Sequence, residues 1–71
     1  MTNAIELEYI LNKMKITKKE FASLLGISLQ ALYNKLNNKV EFKASEIIKA
    51  CKVLQLADTD RDKIFFATNV D

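Results

Sequence analysis

The sequence predicts an all-α fold of five short helices, and three observations carry that expectation. Turn-forming residues are nearly absent, with no Pro and a single Gly in 71 residues. Apolar residues recur at the three- and four-residue offsets of a helix face rather than alternating as in a strand. Helix-start chemistry recurs along the chain at short intervals, leaving room only for brief connections. At this length a single domain over residues 1–71 is expected, because chains divide into domains only beyond about 250–300 residues.

Each element has its own justification. The first helix is expected over about Ala4–Lys15, where Leu7, Ile10, Leu11 and Met14 share one apolar stripe with Tyr9 at its edge. Thr17 followed by Glu20 is a capping box that starts a second helix, whose buried stripe is Phe21, Ala22 and Leu25. Gly26, the chain's only glycine, ends it where the backbone needs a positive φ. Ser28 is a natural N-cap for a third helix reaching about Asn37, with Leu32 and Leu36 inward and Ile27 packing from the turn. Asn37 and Asn38 form a polar break. A fourth helix is expected over about Ala44–Gln55, carrying Ile47, Ala50, Cys51 and Leu54, with Cys51 acting as a small hydrophobe. A fifth begins near Thr59, where Asp60 and Asp62 complement the helix dipole. It carries Ile64, Phe65 and Phe66. Neighbouring helix positions point about 100° apart. One phenylalanine is therefore expected in the core, and the other, with Ile64 or Val70, in a contact between two copies. Thr68–Asp71 is expected as a loose tail.

Composition excludes several chemistries. The absence of His removes the commonest general base and metal ligand, and one Cys makes neither an internal disulfide nor a Cys-rich zinc site. No apolar run approaches the ~18 residues of a membrane span, and no basic-then-apolar leader opens the chain. No nucleophile–base pair can be assembled. The expectation is a cytoplasmic, non-enzymatic module with no cofactor, no metal, no membrane contact and no small-molecule ligand.

Charge is informative in its distribution. The net charge is only +2, but residues 13–43 hold Lys13, Lys15, Lys18, Lys19, Lys35, Lys39 and Lys43 against Glu20 and Glu41. The flanks are acidic: Glu6 and Glu8 before, and Glu46, Asp58, Asp60, Asp62 and Asp71 against Lys49, Lys52, Arg61 and Lys63 after. A basic middle third is the footprint of a phosphate-facing surface, and equally of a solvated lysine-rich one. Lys49, Lys52, Arg61 and Lys63 are read as a solvated face.

Thr17–Lys39 is the informative stretch. Two short helices separated by Gly26-Ile27-Ser28 fit a helix-turn-helix. Ala22 is small where the helices cross, Gly26 stands where the chain reverses, and Leu25, Ile27 and Leu32 close the core between the pair. On these residues the segment TKKEFASLLGISLQALYNKLNNKVEF resembles the helix-turn-helix of Cro and repressor proteins, the XRE family of phage and bacterial transcriptional regulators. The later EIIKACKVLQLADTDRDKIFF resembles the helices that complete the family's five-helix, lambda-repressor-like DNA-binding domain, particularly in small phage-encoded members from Gram-positive hosts.

The resemblance covers about residues 4–67. It implies a nucleoid-associated homodimer on a short, roughly palindromic DNA operator. It makes the third helix the recognition helix, with Leu29, Gln30, Tyr33 and Asn34 at the base-contacting positions. Gln30 and Asn34 each offer a donor and an acceptor suited to adenine N6 and N7, and Leu29 suits a thymine methyl. The polar residues usual at the position of Leu29 are replaced here by an apolar one. In isolation Gln30 and Asn34 are solvated helix polars; the surrounding motif gives them the reading role.

The resemblance also implies phosphate contacts from Thr17, Lys18 and Lys19, from Ser28, and from Asn37, Asn38 and Lys39, with Lys35 and Lys43 nearby. Such contacts position a protein without reading sequence. Many family members bury an Arg on the first helix against a Glu near the end of the third. Leu11 and Leu36 stand at those positions here, an apolar pair free of the desolvation cost of a buried ion pair. The alternative is a protein-interaction module or antirepressor that uses a helix-turn-helix fold without binding DNA.

Overall fold

The computed structural model describes residues 1–67. Among these residues there are five helices and no strand: α1 (Ala4–Lys13), α2 (Lys18–Leu25), α3 (Leu29–Leu36), α4 (Ala44–Leu54) and α5 (Asp58–Phe65). The expected tail and Val70 lie outside the described residues. One apolar core joins all five helices. Leu7 and Leu11 come from α1, Phe21, Ala22 and Leu25 from α2, and Leu32 and Leu36 from α3. Ile47, Ala50 and Leu54 come from α4, and Ile64 and Phe65 from α5. Leu11 and Leu36 are both buried apolar residues.

The helix starts follow the capping chemistry. Thr17 Oγ1 accepts the Glu20 N–H at 3.1 Å while Glu20 accepts the Thr17 N–H at 3.2 Å. Asn3 and Ser28 cap α1 and α3 by accepting from Glu6 and Ala31 at 3.1 and 3.0 Å. At α4 half of a capping box forms: Glu46 accepts the Lys43 N–H at 2.9 Å, and the lysine side chain offers no acceptor in return.

The helix ends differ from expectation in an instructive way. Gly26 adopts φ 75°, as its sequence position predicts, but Lys15, Asn38 and Gln55 adopt the same left-handed conformation at φ 58°, 59° and 54°. After α1, the Lys15 N–H reaches Asn12 O at 3.1 Å and the Ile16 N–H reaches Leu11 O at 2.9 Å. After α2 the Gly26 and Ile27 N–H groups do the same to Ser23 and Ala22, and after α3 the Asn38 and Lys39 N–H groups to Lys35 and Asn34. These are paired Schellman closures, which satisfy carbonyls that a helix end otherwise leaves open. The closure stops α1 at Lys13 rather than Lys15, and turns Met14 toward solvent at 38% exposure instead of into the stripe.

The first three residues strap the molecule together. The Thr2 N–H donates to Asn38 Oδ1 at 2.7 Å, and Asn38 Nδ2 donates to Thr2 O at 3.1 Å. The Asn3 N–H reaches Ile64 O at 2.7 Å and the Ala67 N–H reaches Met1 O at 3.1 Å. The strap thus ties the connection after α3 to both ends of the chain's described part.

α5 corrects one expectation. Ile64 is fully buried and Phe65 is 2% exposed, its ring edge-on to Phe42 at 5.1 Å and 78°. Neither is open to a second copy, because both fill the core. Among the described contact candidates, Phe66, at 55% exposure, is the one that faces outward.

Candidate nucleic-acid interface

The turn Gly26-Ile27-Ser28 joins α2 to α3 and directs the two faces of α3 in opposite senses. Leu32 and Leu36 are buried, and Ile27 packs against the core from the turn. Gln30 and Tyr33 are exposed, with Asn34 half-buried beside them. Gln30 Nε2 donates to Asn34 Oδ1 at 3.2 Å, so the two carboxamides are held as a pair one turn apart. Among the described residues, the Gln30 oxygen, its second amide hydrogen and both amide hydrogens of Asn34 have no hydrogen-bond partner, leaving donors and an acceptor for a ligand. Leu29 is only partly exposed and packs against the core, with one edge at the surface.

A cleft of about 380 Å³ opens where α1, α2 and α3 meet, lined by Glu8, Asn12, Thr17, Lys18, Lys19 and Tyr33 together with the apolar Leu11, Ile16 and Leu29. Lys18 Nζ pairs with Glu8 Oε1 at 2.5 Å and lies 5.8 Å from the centre of the Tyr33 ring. The Glu8 hydrogen bond, helped by the Glu8 and Tyr33 charges and opposed by burial, holds the Lys18 ammonium above its ordinary pKa. The capping box occupies the Thr17 and Glu20 N–H groups. The Lys18 and Lys19 N–H groups remain as the open donors of that turn.

The expected phosphate-contacting residues divide. Lys18, Lys19, Ser28, Asn37, Lys39 and Lys43 keep exposed or half-exposed side chains, as does Thr17. Lys35 is corrected: it is 5% exposed, and its ammonium pairs with Glu46 at 3.2 Å, donates to the Glu41 carbonyl at 3.4 Å and lies 5.9 Å from the Phe42 ring centre. A lysine with its charge neutralised inside has none left for a phosphate. Asn38, by contrast, is exposed, with Oδ1 and one amide hydrogen of its carboxamide bonded to the Thr2 backbone. The buried Lys35–Glu46 pair was missed by sequence reasoning, yet its signal was present. Lys35 lies three residues after Leu32, and Glu46 four before Ala50, both on inward faces.

Away from this face, Phe42, Ala44, Ile47, Ile48, Arg61 and Phe66 line an open groove of about 520 Å³ between α4 and α5, with Ile48 and Phe66 56% and 55% exposed. Cys51 packs beside the core, where burial pushes its thiol pKa up and keeps it protonated. Among the described residues there is no cluster of metal-ligating side chains, and no helix is long and apolar enough to cross a membrane.

Fold and surface together define a small five-helix protein with a lysine-flanked, amide-bearing face. Residues 7–68 match the family described as "Protein of unknown function (DUF739)", and the chain belongs to that family. No curated protein matches the chain.

Proposed function

We propose that the protein is a sequence-specific DNA-binding transcriptional regulator, with α2, the Gly26 turn and α3 as a helix-turn-helix and α3 as the helix that enters the major groove. The observation that carries this reading is the division of α3 itself. Its inner face is locked into the core by Leu32 and Leu36, while Gln30, Tyr33 and Asn34 stand together on the outer face. Carboxamides in that position match the adenine edge. Lys18 lies over the Tyr33 ring with Lys19 in the same cleft, and the exposed Lys39 follows the end of α3; these lysines supply phosphate contacts that set register.

A half-site reader of this size works as a pair, with two recognition helices about 34 Å apart in successive major grooves. The groove between α4 and α5 fits a second copy. An isologous contact requires a self-complementary patch. Here the exposed Ile48 and Phe66 give the groove an apolar centre, and Arg61, paired with Asp58 and Asp62, borders it.

Selecting bound duplexes from a random DNA pool tests the reading. The expected result is a short enriched motif with two-fold symmetry and A·T pairs at the Gln30 and Asn34 positions. No enrichment at low salt with folded protein overturns it. Strong, salt-insensitive binding to another protein with negligible DNA affinity would instead identify an interaction module.

A further inference from the structure

The cleft between α1, α2 and α3 contains an anion already. Glu8 projects from the middle of α1 onto Lys18, at the first position of α2, and the two side chains are 38% and 36% exposed. The cleft is otherwise furnished for an anion: the Lys19 ammonium, the Asn12 carboxamide and the Thr17 hydroxyl line it, beside the open N–H groups of the first turn of α2. The Glu8 carboxylate thus stands where an external oxyanion finds its best partner. The second carboxylate near the start of α2, Glu20, is committed to the capping box. Glu8 has no such structural duty. It caps no helix and sits outside the core.

We infer that Glu8 is an internal stand-in for a backbone phosphate: it occupies Lys18 in the free protein, is displaced when DNA phosphate enters the cleft, and thereby holds affinity for all DNA below what the surface would otherwise give. The inference rests on the DNA-binding reading for the identity of the anion, but its geometry depends only on the Glu8–Lys18 pair. Three consequences follow from charge alone. A carboxylate at the mouth repels incoming phosphate. It also competes for Lys18, so that binding gives up one ion pair as it makes another. And it acts without regard to base sequence, because no base edge is involved. Lys18 lies over Tyr33, one of the base-facing residues, so the exchange of partners takes place at the edge of the reading surface.

The Glu8→Gln substitution, which keeps the shape and helix propensity of the side chain, tests this. Affinity for both the selected operator and unrelated duplexes should rise, on the order of fivefold near physiological salt, and the slope of log K against log salt should steepen by about one ion. The ratio of specific to non-specific affinity should not move. A heparin column provides a readout free of any operator, and the variant should elute at higher salt than the natural protein. Glu8→Ala should behave likewise, and neither variant should lose much thermal stability, as expected for a pair this exposed. If the variants bind DNA more weakly or with unchanged affinity, Glu8 is a positioning partner of Lys18 or a bystander and the inference fails. If wild-type protein binds no duplex yet Glu8→Gln still shifts on heparin, the anion seat stands and the DNA-binding reading falls.

Discussion

Two of the lysine–glutamate pairs in this small protein, Lys35–Glu46 and Lys18–Glu8, share a chemistry and differ in everything else. Lys35 and Glu46 meet at 3.2 Å in the interior between α3 and α4, with side chains 6% and 9% exposed. Lys18 and Glu8 meet at the mouth of a cleft, each more than a third exposed. In the interior pair every charge has a fixed partner: Glu46 also accepts the Lys43 N–H, and Lys35 also donates to a carbonyl. Such a pair holds two helices in one arrangement and has nothing to offer a ligand. In the open pair, water screens the attraction and either partner is free to change. Burial, rather than residue type, separates a lysine that serves the fold from one that serves a surface.

The largest expected effect breaks the interior pair. Glu46→Ala leaves a buried ammonium unpaired and removes a helix cap, so unfolding free energy should fall by about 3–5 kcal/mol in chemical denaturation. Glu46→Gln, which keeps an acceptor for the Lys43 N–H, should recover the cap share, about 1 kcal/mol. Replacing both charges, as in Lys35→Met with Glu46→Leu, should leave stability near wild type or above it, since the desolvation cost disappears with the attraction. A double variant as damaged as Glu46→Ala would show that the pair's other contacts matter more than its charge balance.

Smaller effects sharpen the contrast from the surface side. Gln30→Ala should leave the denaturation midpoint unchanged and cost about 1–3 kcal/mol of discrimination at one operator position, read by repeating the DNA selection. Lys15→Gly, in the turn that leads to the open pair, should raise stability by up to about 1 kcal/mol, because glycine adopts φ 58° without the penalty a side chain carries. Lys18→Ala should change stability by less than about 1 kcal/mol and, made in the Glu8→Gln background where Lys18 has no internal partner, should flatten the salt dependence of DNA binding by about one ion. The sign of its pH dependence is fixed. The pair holds Lys18 above its ordinary 10.5, so its contribution is complete below that value and lost as pH rises through the raised one. Denaturation midpoints between pH 6 and 9 should therefore show no loss from this pair.

Much of this was legible in the sequence where the signal is local. The Thr17–Glu20 capping box, the Ser28 cap and the left-handed Gly26 are written in adjacent residues, and the apolar stripes of α2, α3 and α4 repeat with the helix period. Lys15 and Gln55 close their helices in the same left-handed geometry with no glycine to mark it, and so α1 ends two residues before the point its apolar stripe predicts. Ile64, expected in a contact between two copies, is buried instead, and of the two phenylalanines it is Phe66 that faces outward, for a similar reason. Helical spacing shows that adjacent residues point apart but not which one meets a neighbour such as Phe42.

The sequence by itself determined the helices, most of their starts and the inward faces, because caps and periodicity are properties of a few neighbouring residues. It also concentrated the lysines in the middle third. Which of those lysines face out was decided only by tertiary structure, since burial depends on helices far apart in sequence. Glu46 takes Lys35 inward, Glu8 reaches Lys18 at the surface, and Thr2 occupies the carboxamide of Asn38 from 36 residues away. Long-range partners of this kind leave no periodic trace in a single chain, and they fix which charges remain open to a ligand.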